Sequence, residues 1–280
     1  MIDLSIIIPT LGGNERRWRL EAVLNRLNTD FDLKTMEILV CFDRSKPNQS
    51  LNINFPFVQI ISSQFQLGRA GIRNLGASMA KGSRLLFIDD DILIPEGCFQ
   101  SHLSSDNSIM LTHATTELPW LRFTATSAKI DEIAAPNLRR KAEKCRSLDY
   151  NILLPHCRKT ALERDLQYAN SIQNDRFMMA TGGCMSIDHL RFEKIGKFNE
   201  NFGLRWGLED IELGYRFVKN GGDIQRLWNQ PIIHLDLVAS DRSSRHTEHA
   251  LNLKYFESIH GAQAGKRVRN YLHVPEIDVI

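Results

Sequence analysis

The chain has 280 residues, is 42% hydrophobic and carries a net charge of +2. That composition supports a substantial core in one large domain or two small ones. The charge is too balanced to argue by itself for a nucleic-acid partner, none is expected, and no apolar run approaches the ~20 residues of a membrane helix. Cys41, Cys98, Cys145, Cys157 and Cys184 are scattered without a Cys-x-x-Cys, which argues against a disulfide framework and against a zinc site. Met1-Ile-Asp-Leu-Ser runs into a strand without the basic segment of a signal peptide. The expectation is a soluble, cytoplasmic protein, with a peripheral membrane contact still open.

Leu4–Ile8 is a continuous apolar run ending at Pro9-Thr10, the pattern of a buried strand. Gly12-Gly13-Asn14 is a loop, and Glu15–Leu27 has helical spacing through Trp18, Leu20, Val23, Leu24 and Leu27. Met36–Phe42 and Val58–Ile61 predict two more strands. Ala70–Ala80 predicts a helix whose small face (Ala70, Gly71, Gly76, Ala77, Ala80) suits close packing on a sheet. Arg84–Ile88 is a fourth strand. This alternation predicts βαβ units and a parallel sheet.

Residues 112–176 are polar and weakly periodic, with a basic run Arg139-Arg-Lys-Ala-Glu-Lys-Cys-Arg146. They read as an irregular, partly helical insert, the basic run being a solvated helix face or an acceptor or membrane-surface contact. Strand signals return at Cys184–Ile187, with a helix capped by Asp188. A helix from Glu209 stops at Asn220-Gly-Gly, with acids at its start and Arg216 and Lys219 near its end. Ile224–Trp228 and Pro231–Leu235 read as extended. Ala250–His260 is the expected last helix, followed by a polar tail.

Three features carry chemistry. Asp89, Asp90 and Asp91 follow the fourth strand directly. Adjacent carboxylates repel unless a cation or solvent relieves them, and in open α/β sheets ligands bind at the C-terminal ends of strands. A hard divalent cation bridging these acids to phosphate oxygens fits, and a solvated acidic turn is the alternative. Glu209-Asp210 opens a helix after Trp206-Gly207, a capping pattern that also suits a cleft with a flat ring for a sugar. His234 could add an imidazole to a carboxylate metal site, or be a satisfied structural histidine. No Gly-x-Gly-x-x-Gly and no Walker lysine loop follows the first strand.

These motifs, in this order, resemble the family 2 glycosyltransferases. The N-terminal resemblance rests on Ile6-Ile-Ile-Pro9-Thr10, Cys41-Phe-Asp43-Arg-Ser45, Gly68-Arg69-Ala-Gly-Ile-Arg-Asn74-Leu-Gly76 and Leu86-Phe-Ile-Asp89-Asp90-Asp91. The C-terminal one rests on Gly182-Gly183-Cys-Met185, Ile195-Gly-Lys-Phe198, Trp206-Gly207-Leu-Glu209-Asp210 and Ile233-His234. It is similar to the galactosyltransferase-type region of chondroitin-polymerase-like and polypeptide N-acetylgalactosaminyltransferase-like enzymes. The resemblance implies an α/β, A-type glycosyltransferase fold: a mixed, mostly parallel sheet flanked by helices. It implies a single domain over 1–280, divided into a nucleotide-sugar-binding half (1–111), the insert (112–176), an acceptor and catalytic half (177–260) and a tail (261–280).

It also implies roles. Pro9, Thr10, Asp43, Arg69 and Asn74 would hold the uridine and diphosphate. Asp91, with Asp89 and His234, would hold Mn²⁺ or Mg²⁺. Asp90, the middle residue of the Asp-x-Asp motif turned away from the metal, and Gly183 would sit on the donor side. Trp206, Gly207 and Glu209 would contact sugar, and Asp210 would be the catalytic base, with Glu209 beside it. The expected reaction moves a sugar from a UDP-sugar to a saccharide, peptide or lipid-linked acceptor, with inversion. A metal-dependent nucleotidyltransferase and an inactive nucleotide-binding relative are the alternatives. The polar stretch 241–249 is expected to be a linker or a loop ordering over the donor through Arg245 or His246.

Overall fold

The computed structural model describes residues 1–44, 55–118, 149–171, 173–181, 183–235 and 242–272. The basic run 139–146, Gly182, Asp236 and Asp241 lie outside these residues. In chain order the elements are β1 (Leu4–Thr10), α1 (Asn14–Asn28), β2 (Met36–Phe42), β3 (Val58–Ser62), α2 (Gly68–Met79), β4 (Arg84–Ile88), β5 (Ile92–Leu93), α3 (Cys98–Leu103) and β6 (Ile109–Glu117). Then come α4 (Tyr150–Leu153), β7 (Arg158–Lys159), α5 (Ala161–Ser171), β8 (Cys184–Asp188), α6 (His189–Lys194), α7 (Glu209–Lys219), β9 (Asp223–His234), α8 (Arg242–His260) and α9 (Ala262–Leu272).

The strands form one sheet in the order β3-β2-β1-β4-β8-β6-β9-β5, with β7 on β6. β1 pairs in parallel with β2 and β4, β2 with β3, and β6 with β9, whereas β8 runs antiparallel between β4 and β6. This is the mixed, mostly parallel sheet of the A-type fold. β1, β2 and β4 are predominantly apolar and buried because both faces of this part of the sheet are covered. Ile6 and Ile8 enter one core with Leu20, Val23, Leu24 and Leu27 of α1. Ile7, between them, enters the other with Ala70, Ile72 and Ala77 of α2. Period-two alternation along β1 therefore builds both layers. Gly76 lets α2 seat on the sheet: a Cβ there would lie 2.5 Å from Ile7 Cγ2.

Three boundaries differ from the sequence reading. The insert does not begin at residue 112, because β6 continues to Glu117 within the sheet. Its far end is core as well: Glu163 of α5 forms a buried ion pair with Arg226 of β9. Second, the two extended segments after Gly222 are one strand, β9, whose register with β6 shifts between His113 and Thr115. Third, the last helix starts at Arg242, not Ala250, and residues 262–272 are a further helix with Val268 and Tyr271 buried, not a polar tail. A contact network across α5, α7, α8 and α9 buries Leu166, Phe256 and Val268 together, which residue spacing within any one helix does not reveal. No helix among the described residues is long and apolar enough to cross a membrane.

Candidate active site

Because β1, β2, β4, β6 and β9 run the same way, their C-terminal residues Thr10, Phe42, Ile88, Glu117 and His234 share one edge of the sheet. A cleft of about 580 Å³ opens there, within the range of small-ligand sites. Pro9, Thr10, Asp43, Arg69, Asp89, Asp90, Asp91, Gly183, Trp206, Gly207, Glu209, Asp210 and His234 all line it.

The three aspartates have three environments. His234 Nε2 lies 3.4 Å from Asp91 Oδ1, and Arg19 Nη1 lies 3.4 Å from Asp91 Oδ2. The approach follows from register, since Ile92, the residue after Asp91, pairs with His234 on β9. Asp90 turns back toward β1, where Thr10 Oγ1 donates to its Oδ2 at 2.5 Å. Asp89 Oδ1 accepts from Arg73 Nη2 at 2.8 Å.

Arg73 is the residue that sequence reasoning missed. Its other nitrogen, Nη1, donates to Glu209 Oε1 at 2.7 Å, and the side chain is only 2% exposed. Its one signal was position, one helical turn beyond Arg69 on α2, which does not reveal burial. The guanidinium holds the cleft ends of β4 and α7 in one fork. Burial works against the charge of Glu209, but Arg73, with Arg69 behind it, outweighs burial and holds the carboxyl below the usual range. Glu209 is thereby a buried ion-pair partner, 3% exposed, and not a group presented openly to a sugar.

Asp43 accepts from the backbone N–H groups of Leu67 (2.7 Å) and Gly68 (3.0 Å), so its carboxylate fixes the start of α2 at the cleft. Asn74 is not brought to the cleft. Its amide clamps the loop before α7, donating to Phe198 O and Glu200 Oε1 and accepting from Phe198 N–H. The expectation that it holds nucleotide is corrected by that placement: it lies one residue past Arg73 on α2, on another face.

Trp206-Gly207-Leu208 makes the turn into α7. Gly207 and Leu208 both have positive φ, 89° and 75°, a conformation uncommon for leucine. A Cβ at Gly207 would lie 2.6 Å from the His249 ring. The α8 helix cradles this turn. Glu248 accepts from Trp206 N–H at 2.7 Å, and Asn252 Nδ2 donates to Gly207 O at 2.7 Å. The His249 ring stands 4.7 Å from that of Trp206, and the Arg69 and Arg245 guanidinium carbons lie 5.7 Å and 5.4 Å from its centroid. Burial pushes the His249 imidazole down to about 4, so it is neutral near pH 7. The stretch expected as linker or loop is therefore helical from Arg242, and Arg245 and His249 line the cleft. Asp210, at the first turn of α7, also lines it, with Oδ1 accepting from Ile211 N–H at 2.8 Å.

Residues 5–107 match the family described as Glycosyl transferase family 2. The N-terminal part of the chain is thus similar to the family 2 glycosyltransferases. Residues 170–236 match a second family, described as the N-terminal domain of galactosyltransferase. Chondroitin synthase of Escherichia coli is 29% identical over 238 residues, 78% of this chain and 32% of that protein. Polypeptide N-acetylgalactosaminyltransferase 6 of Bos taurus is 23% identical over 220 residues, 74% of this chain and 33% of that protein. The chain thus spans about a third of the length of these relatives. Among solved structures, GalNAc-T7 with UDP, GalNAc and Mn²⁺ superposes with a TM-score of 0.61 at 14% identity, covering 97% of this chain and 54% of that one. S. aureus TarS superposes with a TM-score of 0.56 at 16% identity, covering 97% and 43%. The fold is the A-type glycosyltransferase fold.

Proposed function

We propose that this glycosyltransferase moves a sugar from a UDP-sugar to a hydroxyl acceptor with inversion, using a divalent cation held by Asp91 and His234. The meeting of these two side chains at 3.4 Å carries the reading. A carboxylate oxygen and an imidazole nitrogen suit Mn²⁺, and neighbouring ligands of an octahedral ion at ~2.1 Å stand about 3 Å apart. The separation fits. Asp89, tied to Arg73, supports the site from the second position of the pair. The cation when bound supplies Lewis-acid stabilisation of the departing diphosphate.

The chain's own residues do the rest. Thr10, Pro9 and Asp43 form the nucleoside end of the cleft. Arg69 and Arg245 flank Trp206 and offer positive charge to the diphosphate. Trp206 supplies an apolar face for a sugar ring. Asp210 takes the acceptor proton, and Glu209 positions α7 through Arg73. Mn²⁺ bound to GalNAc-T7, and UDP-GlcNAc bound to TarS, support the donor and metal classes. A mannosyltransferase from Pyrobaculum calidifontis, of TM-score 0.55, holds GDP-Man and Mn²⁺. The fold therefore accepts other nucleotides, and the donor panel must include one.

The test is hydrolysis of UDP-GlcNAc, UDP-GalNAc, UDP-glucuronate, UDP-galactose and GDP-mannose with Mn²⁺ or Mg²⁺, since it needs no acceptor. The expected result is metal-dependent release of UDP from one donor. Release of pyrophosphate in a parallel assay with UTP and a sugar 1-phosphate, with no UDP released from any donor, would mean nucleotidyl transfer. Tight UDP binding with no hydrolysis or transfer would mean an inactive relative.

A further inference from the structure

A second cluster of ligand-type side chains lies outside the cleft. Cys98 and His102 are one turn apart on α3, so they share a face. His113 comes from β6 and Cys184 from β8. All four are buried, at 0%, 0%, 1% and 1% exposure. Cys98 Sγ lies 3.4 Å from His102 Nε2 and 3.6 Å from His113 Nε2, and the two nitrogens are 3.1 Å apart. Tetrahedral zinc, with Zn–N near 2.05 Å and Zn–S near 2.3 Å, sets N···N at about 3.3 Å and N···S at about 3.6 Å. The three observed separations reproduce those edges.

The outer hydrogen bonds agree. His113 Nδ1 is 2.7 Å from the Gln230 carbonyl oxygen, which only accepts, so Nδ1 carries the proton and Nε2 presents its lone pair inward. His102 Nδ1 is 2.8 Å from Ser186 Oγ, which leaves its Nε2 directed at the same point. A proton shared between the two rings is the metal-free way to satisfy this arrangement.

We infer that Cys98, His102 and His113 form a zinc site, with the buried Cys184 thiol on β8 as the candidate fourth ligand. The ion displaces the thiol protons to solvent on binding. It ties α3, which follows the Asp89–Asp91 loop, to β6 and β8 in the core. The spread of these ligands over three elements hides the site from any spacing rule for cysteines alone, which is why the sequence argued against zinc. This inference is independent of the glycosyltransferase reading, because soft sulfur ligands and the oxygen-rich cleft select different ions.

The full chain, without a polyhistidine tag, is expressed with zinc and washed with EDTA, and its metal content is measured. About one zinc per chain is expected, retained in Asp91→Asn and reduced at least ten-fold in Cys98→Ser or His113→Gln. Protein expressed with cobalt should show thiolate-to-cobalt charge transfer and the intense visible bands of a tetrahedral ion. Wild-type measurements keep the test decisive if the variants do not fold. No zinc in the wild type together with no charge-transfer band in the cobalt protein overturns the inference, as does zinc lost only in Asp91→Asn.

Discussion

Arg73 on α2 donates to Glu209 on α7 at 2.7 Å across 136 residues of chain, with both side chains buried. The same guanidinium reaches Asp89 at 2.8 Å. One cation thus ties the start of the Asp89–Asp91 loop to the helix that carries Asp210. Removing it strands a buried carboxylate, and breaking a buried pair from one side costs about 3–5 kcal/mol.

Arg73→Ala is therefore expected to lower unfolding free energy by about 3–5 kcal/mol. Arg73→Lys should recover only part, because an ammonium does not span two carboxylates as a fork does. Urea denaturation measures both. An Arg73→Ala midpoint equal to the wild type would show that the fork does not hold α7.

The lowered Glu209 carboxyl predicts an acid dependence. A depressed acid stabilises the fold above its unfolded value, and that contribution is lost as pH falls through the folded value. Stability attributable to Glu209 should be complete above about 4.5, the ordinary glutamate value, and fall below it. The wild type and Glu209→Gln should converge in melting temperature on acidification. Parallel curves down to acid pH would oppose the assignment.

His249 has the opposite chemistry and the same sign. Its neutral form is favoured in the fold, down to about 4 against an ordinary 6.5, so the unfolded chain binds the proton first. Its stabilising contribution is present above 6.5 and is lost as pH falls from 6.5 toward 4. His249→Phe should flatten the melting-temperature profile across that window. An unchanged slope would mean that the imidazole titrates freely beside Trp206.

Asp210→Asn should reduce kcat by ~10²–10⁴, the usual contribution of a positioned base, with donor KM little changed. UDP binding by calorimetry should persist. Near-normal transfer with metal and donor bound would remove Asp210 from the base role.

Asp91→Asn and His234→Ala should each weaken Mn²⁺ binding in the presence of UDP by at least ~10–100-fold, the range typical even of residues that only support a ligand. Their effects should be non-additive, since either loss opens the same site. Calorimetry reads this directly, and unaltered affinity in both would place the cation elsewhere.

Much of the cleft was legible because its parts are short runs tied to strand ends. The apolar run before Asp89 marks a strand, and a strand's end is where a parallel sheet collects its ligand groups. Trp206-Gly207-Leu208-Glu209-Asp210 is equally local. His234 was legible only as one of two alternatives until the family resemblance favoured a ligand, and its approach to Asp91 follows from the pairing of β5 with β9. Arg73 and His249 were not legible as site residues, and Arg245 was legible only as one alternative for a stretch that could equally be a linker. Each sits on a helix, where an arginine or histidine ordinarily faces water, and only the packing of α2, α7 and α8 around one edge turns them inward.

Local periodicity, which depends on neighbours within a few residues, thus determined the strands of the N-terminal half and the aspartate loop that follows β4. Tertiary structure alone decided which charges are paired. It set Asn74 on the loop at Phe198, paired Glu163 with Arg226, and gathered Cys98, His102 and His113. The reason is physical: burial and ion pairing depend on distances between elements far apart in sequence, and no spacing along the chain encodes those distances.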